Sequence, residues 1–156
     1  MLQRPQTIFL IISILGMGVF LGLNSWTKVS ESETILVNAF QILEMKGGLA
    51  ASSKAIFYVA VMSIISMGVA LFAILQYKNR VRQMLMCAFN SLLIAAALGV
   101  LAYHIKYDAM VLGDQTVEGS WTYGYIGGFI ALASNWLANR FIRKDEKLVR
   151  SADRMR

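Results

Sequence analysis

Four long stretches of this chain are almost free of charged residues. They cover residues 7–26, 55–77, 84–103 and 121–141, and Arg140, near the end of the last one, is their only charge. A helix needs about 20 residues to cross about 30 Å of hydrocarbon, so each stretch is long enough to span a bilayer. A strict alternation of apolar and polar residues is absent, which favours helices over a barrel. The pattern therefore predicts a polytopic membrane protein.

Composition agrees with this prediction. Hydrophobic residues make up 57% of the 156-residue chain, whereas about 45–50% is usual in soluble domains. The length predicts one domain over residues 1–156. No small-residue cleavage pattern follows the first stretch, so we interpret it as a retained span and not as a signal peptide. The single cysteine, Cys87, excludes an internal disulfide and any multi-cysteine metal site.

The basic residues fall on alternate sides of the four stretches. Of the 15 Lys and Arg residues, 11 lie before the first stretch, between the second and third, or from Arg140 onward. The outer loops, 28–54 and 104–120, hold the other four against six acidic residues. The positive-inside rule therefore predicts that both termini, including the tail 142–156, are cytoplasmic.

The two predicted outer loops are compatible with more than one structure. Residues 28–54 include the apolar run TILVNAFQIL, and residues 104–120 include VLGDQTV, a weak hairpin signal. The alternatives are a small β or mixed cap, or loops that are helical or irregular. The predicted fold class is an all-α membrane protein, namely an antiparallel four-helix transmembrane bundle with a small extracytoplasmic cap.

Small and amide residues predict how the spans pack. Helices in lipid associate through close contacts and hydrogen bonds. Gly18-x-x-x-Gly22, Gly124-x-x-x-Gly128 and Asn135 are the predicted packing residues. Internal packing is the default interpretation, and contact with another subunit remains the alternative. None of the polar residues inside the spans is ionisable, which argues against a proton-coupled transporter.

The sequence contains few residues that could form a catalytic or metal-binding site. The only histidine, His104, is four residues before Asp108 and forms a pair with it if the helix continues. Asp114 and Glu118 are two carboxylates of a polar loop, where solvation is usual. The phosphate-binding loop, the H-E-x-x-H zinc motif and the nucleophile elbow are missing from the sequence. We therefore predict a protein that is not an enzyme and holds no cofactor or metal.

The carboxyl tail NRFIRKDEKLVRSADRMR is the most distinctive segment. It is typical of a helix that continues out of the fourth span, with Glu146 and Arg150 at i, i+4. Such a basic segment meets anionic lipid, an acidic partner or RNA phosphates. The candidate partner- or lipid-binding residues are Lys78, Arg80, Arg82, Arg140, Arg143, Lys144, Lys147 and Arg150.

The two ends of the chain also carry a resemblance. The motifs Gln3-Arg4-x-Gln6-Thr7 and Asn139-Arg140-x-Ile142-Arg143-Lys144-Asp145-Glu146 are similar to those of an uncharacterised family of small four-helix bacterial membrane proteins, catalogued as a domain of unknown function. The resemblance extends over essentially the full chain. It implies the bacterial inner membrane and brings no activity, cofactor or catalytic residue with it.

These observations predict a non-enzymatic accessory, scaffold or assembly subunit of a larger inner-membrane complex, with protein export or biogenesis as one setting. The expected partners are membrane lipids and other inner-membrane subunits. The alternative is a small-molecule or lipid-binding membrane carrier. It would require a polar cavity between the spans, lined by Asn90, Asn135 or His104.

Overall fold

The computed structural model describes residues 5–76, 79–113 and 116–153. Its helices are α1 (Pro5–Gly22), α2 (Tyr58–Leu75), α3 (Arg80–His104) and α4 (Tyr123–Asp153), and a π-helical turn at Ile105–Ala109 continues α3. Its strands are β1 (Trp26–Val29), β2 (Glu33–Val37), β3 (Gln41–Lys46), β4 (Leu49–Ala55) and β5 (Ser120–Trp121).

The strands form one antiparallel sheet in the order β4-β3-β2-β1-β5. The expected all-α four-helix bundle is therefore wrong, and the fold is mixed α/β. The strands occupy parts of the two predicted outer loops and extend by one or two residues beyond them, to Trp26, Ala55 and Trp121. In the second loop, the residues described around VLGDQTV form turns and bends, and the strand is the short β5, which pairs Trp121 with Trp26 of β1.

Local turn chemistry explains why residues 26–55 form a meander. Gly47 and Gly48 both have positive φ, +58° and +82°, and connect β3 to β4. A two-residue turn with this backbone matches the twist of the flanking strands and favours glycine. Between β2 and β3, Asn38 Oδ1 accepts from the backbone N–H groups of Phe40 and Gln41, each at 2.9 Å. This side chain closes the turn in place of a backbone carbonyl.

The four helices, here called the helical layer, pack side by side, and α1 makes its most extensive contact with α4. The sheet lies where α1 and α3 end and where α2 and α4 begin, and we call this the sheet end. The opposite end, called the tail end, holds the start of α1, the link between α2 and α3, and the last turns of α4. Asn79 caps α3 there, since its side chain accepts from Arg82 N at 3.2 Å.

Three helices of the described residues are long and apolar enough to cross a membrane. They are Pro5–Gly22, Tyr58–Leu75 and Arg80–Ala109, with mean hydropathies of 1.8, 2.4 and 2.2. The predicted fourth span lies in α4, which is not among the three. The buried face of α4 carries Ser134, Asn135 and Asn139, and Arg140 follows directly.

The apolar core has two parts. The larger one joins the sheet to the helical layer and includes the fully buried Phe20, Trp26, Ile35 and Ile42. The smaller one, near the tail end, consists of Leu10, Ala73, Cys87, Ala138 and Ile142. Strand β4 belongs to neither part, since all seven of its residues are exposed. One face of β1, β2 and β3 therefore attaches the sheet to the helices.

Candidate functional site

The tail end collects the predicted basic residues on two neighbouring elements. Arg80 Nη1, at the start of α3, donates to the backbone carbonyl of Asp145 on α4 at 2.9 Å. Phe9 of α1 stacks on Phe141 of α4 with ring centroids 5.3 Å apart, and Ile142 is fully buried. Contacts to α1 and α3 therefore hold residues 141–145 of α4 in place.

The predicted binding residues divide into three groups. Arg80 and Arg82 lie on the first turn of α3. The residues of α4 with exposed basic side chains are Arg140, Arg143, Lys144 and Lys147. Lys78 lies outside the described residues, and the side chain of Arg150 is not described either. None of the ion pairs between described residues involves a basic side chain of this end.

Two shallow clefts border Arg140. One, of about 160 Å³, is lined by Trp136, Asn139, Arg140 and Arg143. The other, of about 420 Å³, is lined by Leu137, Arg140, Phe141 and Lys144. The Arg140 guanidinium carbon lies 5.6 Å from the centroid of the Trp136 ring, which is within the range of a cation–π interaction.

Inside the helical layer, polar side chains bond to one another. Ser66 of α2 donates to Asn90 Oδ1 at 2.7 Å, and Asn90 Nδ2 donates to Asn135 Oδ1 at 3.1 Å. Asn135 Nδ2 then donates to Ser91 Oγ and to the carbonyl of Cys87, each at 2.7 Å. Asn90 and Asn135, which would line the polar cavity of a carrier, thus link α2, α3 and α4 to one another. These bonds favour a packing role for both residues.

The small residues bring α1 and α4 together at particular positions. A Cβ atom added to Gly16 would lie 2.7 Å from the carbonyl oxygen of Gly127, and one added to Gly124 would lie 2.6 Å from that of Asn24. A Cβ atom on Gly128 would meet Leu98 Cδ2 of α3 at 2.5 Å. The predicted packing residues Gly18 and Gly22 do not lie at this contact, since a Cβ atom at either position would meet nothing within 4 Å. On α1 the close approach uses Gly16, which the motif spacing does not indicate.

A second polar cluster lies at the sheet end. The π-helical turn continues α3, so His104 Nδ1 reaches Asp108 Oδ2 at 2.5 Å, and Lys54 of β4 binds the same oxygen at 2.8 Å. His104 Nε2 also hydrogen-bonds the hydroxyl of Tyr58 on α2. The sequence indicated the pair of His104 and Asp108 but not Lys54 or Tyr58, which come from distant elements. Glu118 lines a different cleft, with Trp26 and Lys28.

Three charged residues of the sheet form a network that sequence reasoning missed. Lys46 Nζ lies 3.0 Å from Glu33 Oε1 and 3.1 Å from Glu44 Oε1. The register places Glu33 directly opposite Lys46 across β2 and β3. Hydrogen bonds to Glu33 and then to Glu44 raise the pKa of Lys46 above its ordinary value. Only the strand pairing, which the sequence did not predict, brings these residues together.

No group of three or more His, Cys, Asp or Glu residues suited to a metal ion occurs among the described residues. A comparison with curated proteins finds no match. A family model does match, over residues 2–155 and thus over almost all of the chain, and its description is "Domain of unknown function (DUF4293)". The chain belongs to this DUF4293 family.

Proposed function

We propose that this protein is a multi-pass protein of the bacterial inner membrane that serves as a non-catalytic accessory or scaffold subunit of a larger membrane assembly. In this proposal both termini are cytoplasmic and the sheet is extracytoplasmic. The distribution of basic residues supports this orientation, because Arg80, Arg82 and the bases of α4 share the tail end.

The proposal includes α4 as a fourth span. Its polar residues are compatible with this role because Asn135 is hydrogen-bonded to α3 and the α4 glycines pack against α1 and α3. Polar groups inside a membrane are usually tolerated where they face neighbouring helices.

The observation that carries the proposal is the length of α4. It has 31 residues, whereas α1 and α2 have 18 each. Its last 14 residues, Arg140–Asp153, would extend roughly 20 Å beyond the span at about 1.5 Å per residue. We call this part the tail helix. A helix that carries Lys147 and Arg150 away from the membrane, and that Arg80 holds at the Asp145 carbonyl, is a rigid surface for an acidic protein partner.

The experiment compares two double variants of the tail helix in the full-length protein. Lys147→Glu with Arg150→Glu reverses both charges, while Lys147→Arg with Arg150→Lys keeps them. Each tagged protein is cross-linked in cells, purified in mild detergent and analysed by quantitative mass spectrometry. We expect a defined set of membrane proteins with the wild type and the charge-conserving variant, reduced at least about tenfold by the reversal, in line with two lost charge pairs.

Two results would overturn this function. One is a protein that purifies alone from every mild detergent, with and without cross-linking. The other is a set of associated molecules that ribonuclease removes and that dissociates steeply with salt, which would identify RNA as the ligand of the tail helix.

A further inference from the structure

One exposed stripe of side chains on α4 changes from apolar to basic along the helix. Its apolar part carries Ile126, Phe129 and Ala133, Trp136 follows, and Arg140 and Arg143 end it. The spacing of three or four residues keeps all six side chains on one side of the helix. The stripe therefore passes from apolar through aromatic to basic in the direction of the tail end.

The dimensions of the stripe fit one phospholipid molecule. Ile126 and Trp136 are ten residues apart, or about 15 Å along a helix, which is half of the roughly 30 Å hydrocarbon core of a bilayer. Trp residues concentrate at the boundary between hydrocarbon and headgroups. An acyl chain that lies along Ile126 and Phe129 therefore places its phosphate next to Arg140 and Arg143.

The cleft at the basic end of the stripe offers charge without a counter-ion. Among the described residues, neither Arg140 nor Arg143 has a carboxylate partner, and the Arg140 guanidinium lies over the Trp136 ring at a cation–π distance. Guanidinium groups recognise phosphate oxygens through paired hydrogen bonds. The cleft thus has the charge and the donors that an anionic headgroup requires.

Asn139 supplies a second, independent indication. It lines the same cleft and is 9% exposed, and its Oδ1 atom is buried without a hydrogen-bond partner among the described residues. An unpaired buried acceptor destabilises the folded protein, because it has given up its hydrogen bond to water and gained no other. If the Asn139 amide rotates toward the cleft, a hydroxyl group of a bound headgroup would satisfy this acceptor, whereas a headgroup that carries only phosphate and methyl groups would not.

We propose that Trp136, Asn139, Arg140 and Arg143 form a binding site for an anionic phospholipid whose headgroup carries hydroxyl groups, as in phosphatidylglycerol. This site is separate from the partner surface of the tail helix, since it lies at the base of that helix and faces the bilayer. Its residues act together: the arginines bind the phosphate, Trp136 positions Arg140, and Asn139 accepts from a headgroup hydroxyl.

The test uses the purified full-length protein in nanodiscs that contain equal amounts of phosphatidylglycerol and phosphatidylcholine. The lipid that stays with the protein after transfer to detergent is quantified by mass spectrometry. We expect enrichment of phosphatidylglycerol with the wild type and a reduction of roughly 30-fold in Arg140→Gln with Arg143→Gln, from two basic residues near an anionic surface. The matched control, Arg82→Gln with Lys147→Gln, removes the same charge from the same end but from outside the cleft. We expect it to keep the lipid enrichment, whatever its effect on the protein partner.

A second comparison separates the headgroup from its charge. Phosphatidylmethanol carries the same charge as phosphatidylglycerol but lacks the hydroxyl groups. The wild type is expected to prefer phosphatidylglycerol, and Asn139→Leu to lose this preference while still favouring both anionic lipids over phosphatidylcholine. Asn139→Ser, which retains a hydrogen-bonding group, keeps part of the preference if the substituted helix packs as before.

Three results would overturn the site. Equal loss of enrichment in the Arg82 and Lys147 control would show that the enrichment depends on the total positive charge of this end and not on the cleft. Full enrichment of phosphatidylglycerol in the Arg140 and Arg143 variant would show that these arginines do not bind the lipid. Displacement of the lipid by millimolar inorganic phosphate would identify a free-anion site. None of these results depends on the partner surface, because a protein that purifies alone can still retain the lipid.

Discussion

The side-chain amide of Asn90 donates to Asn135 Oδ1 across 3.1 Å and so joins α3 to α4 inside the helical layer. Asn135 also donates to Ser91 and to the Cys87 carbonyl. In a low-dielectric interior each partner depends on the others, because removal of one leaves a polar group unpaired.

We expect Asn135→Ala to lower the free energy of unfolding by roughly 1–2 kcal/mol, the upper range for hydrogen bonds between membrane helices. Ser134→Ala, at the neighbouring buried position of the same helix, is the control and should change stability much less. Denaturant titration in detergent, followed by circular dichroism, measures both. Equal effects would mean that the network adds nothing beyond packing.

Gly16 and Gly18 provide a matched pair on α1. Gly16→Ala would place a methyl group 2.7 Å from the Gly127 carbonyl and 3.1 Å from Ala131 Cβ, whereas Gly18→Ala would meet nothing within 4 Å. We expect Gly16→Ala to destabilise the protein by about 1–3 kcal/mol, as overpacking does. Gly18→Ala should be neutral or slightly stabilising, because alanine favours a helix. Thermal unfolding of the purified variants compares them, and a reversed order would contradict the α1–α4 packing.

The same pair shows what the sequence can and cannot indicate about packing. Small residues at helical spacing identify a close approach on α4, where Gly124 and Gly128 meet α1 and α3. On α1 the spacing selects Gly18 and Gly22, but the helix turns Gly16 toward α4. Which side of a helix faces a neighbour depends on the whole arrangement of helices, and a short motif on one helix does not contain this information.

The orientation of the chain is open to direct measurement. Cys87 is the only cysteine and is fully buried, so Cys87→Ala gives a background free of other thiols. Single cysteines at Ser52, on the exposed β4, and at Lys147, on the tail helix, then report on the two ends. An impermeant maleimide should label the Ser52→Cys protein in intact spheroplasts and the Lys147→Cys protein only after permeabilisation. The opposite pattern would invert the proposed topology.

Alkaline pH should weaken the sheet through Lys46. Hydrogen bonds to Glu33 and Glu44 raise the pKa of Lys46 in the folded protein above the ordinary value of 10.5. The charged lysine therefore contributes its full stabilisation below the unfolded-state pKa and loses it as the pH rises through the raised, folded-state pKa. The melting temperature should fall with pH in this alkaline range, and less so in Lys46→Gln. If the melting temperatures of the two proteins fall in parallel with pH, Lys46 does not cause the loss of stability.

The helices were easier to predict than the sheet, for a physical reason. Each helix contains a long stretch that is almost free of charged residues, and a bilayer-crossing segment must be apolar over most of its length. Strands β2 and β3 are short and mix apolar with charged residues such as Glu33, Glu44 and Lys46, so they resemble an ordinary loop. Their regularity comes from pairing and from the turns at Asn38 and Gly47. At the sheet end, Tyr58 and Lys54 reach His104 and Asp108 only after α2, α3 and β4 have come together.

The short strand β5 has a consequence for the order in which the protein is built. Strands β1 to β4 lie between α1 and α2 and can pair as soon as that segment is synthesised, but β5 follows α3. Trp121 can therefore pair with Trp26 only after α2 and α3 have been synthesised. Until β5 is present, the outer edge of β1 has no strand beside it, so the sheet is complete only when nearly four fifths of the chain has been made.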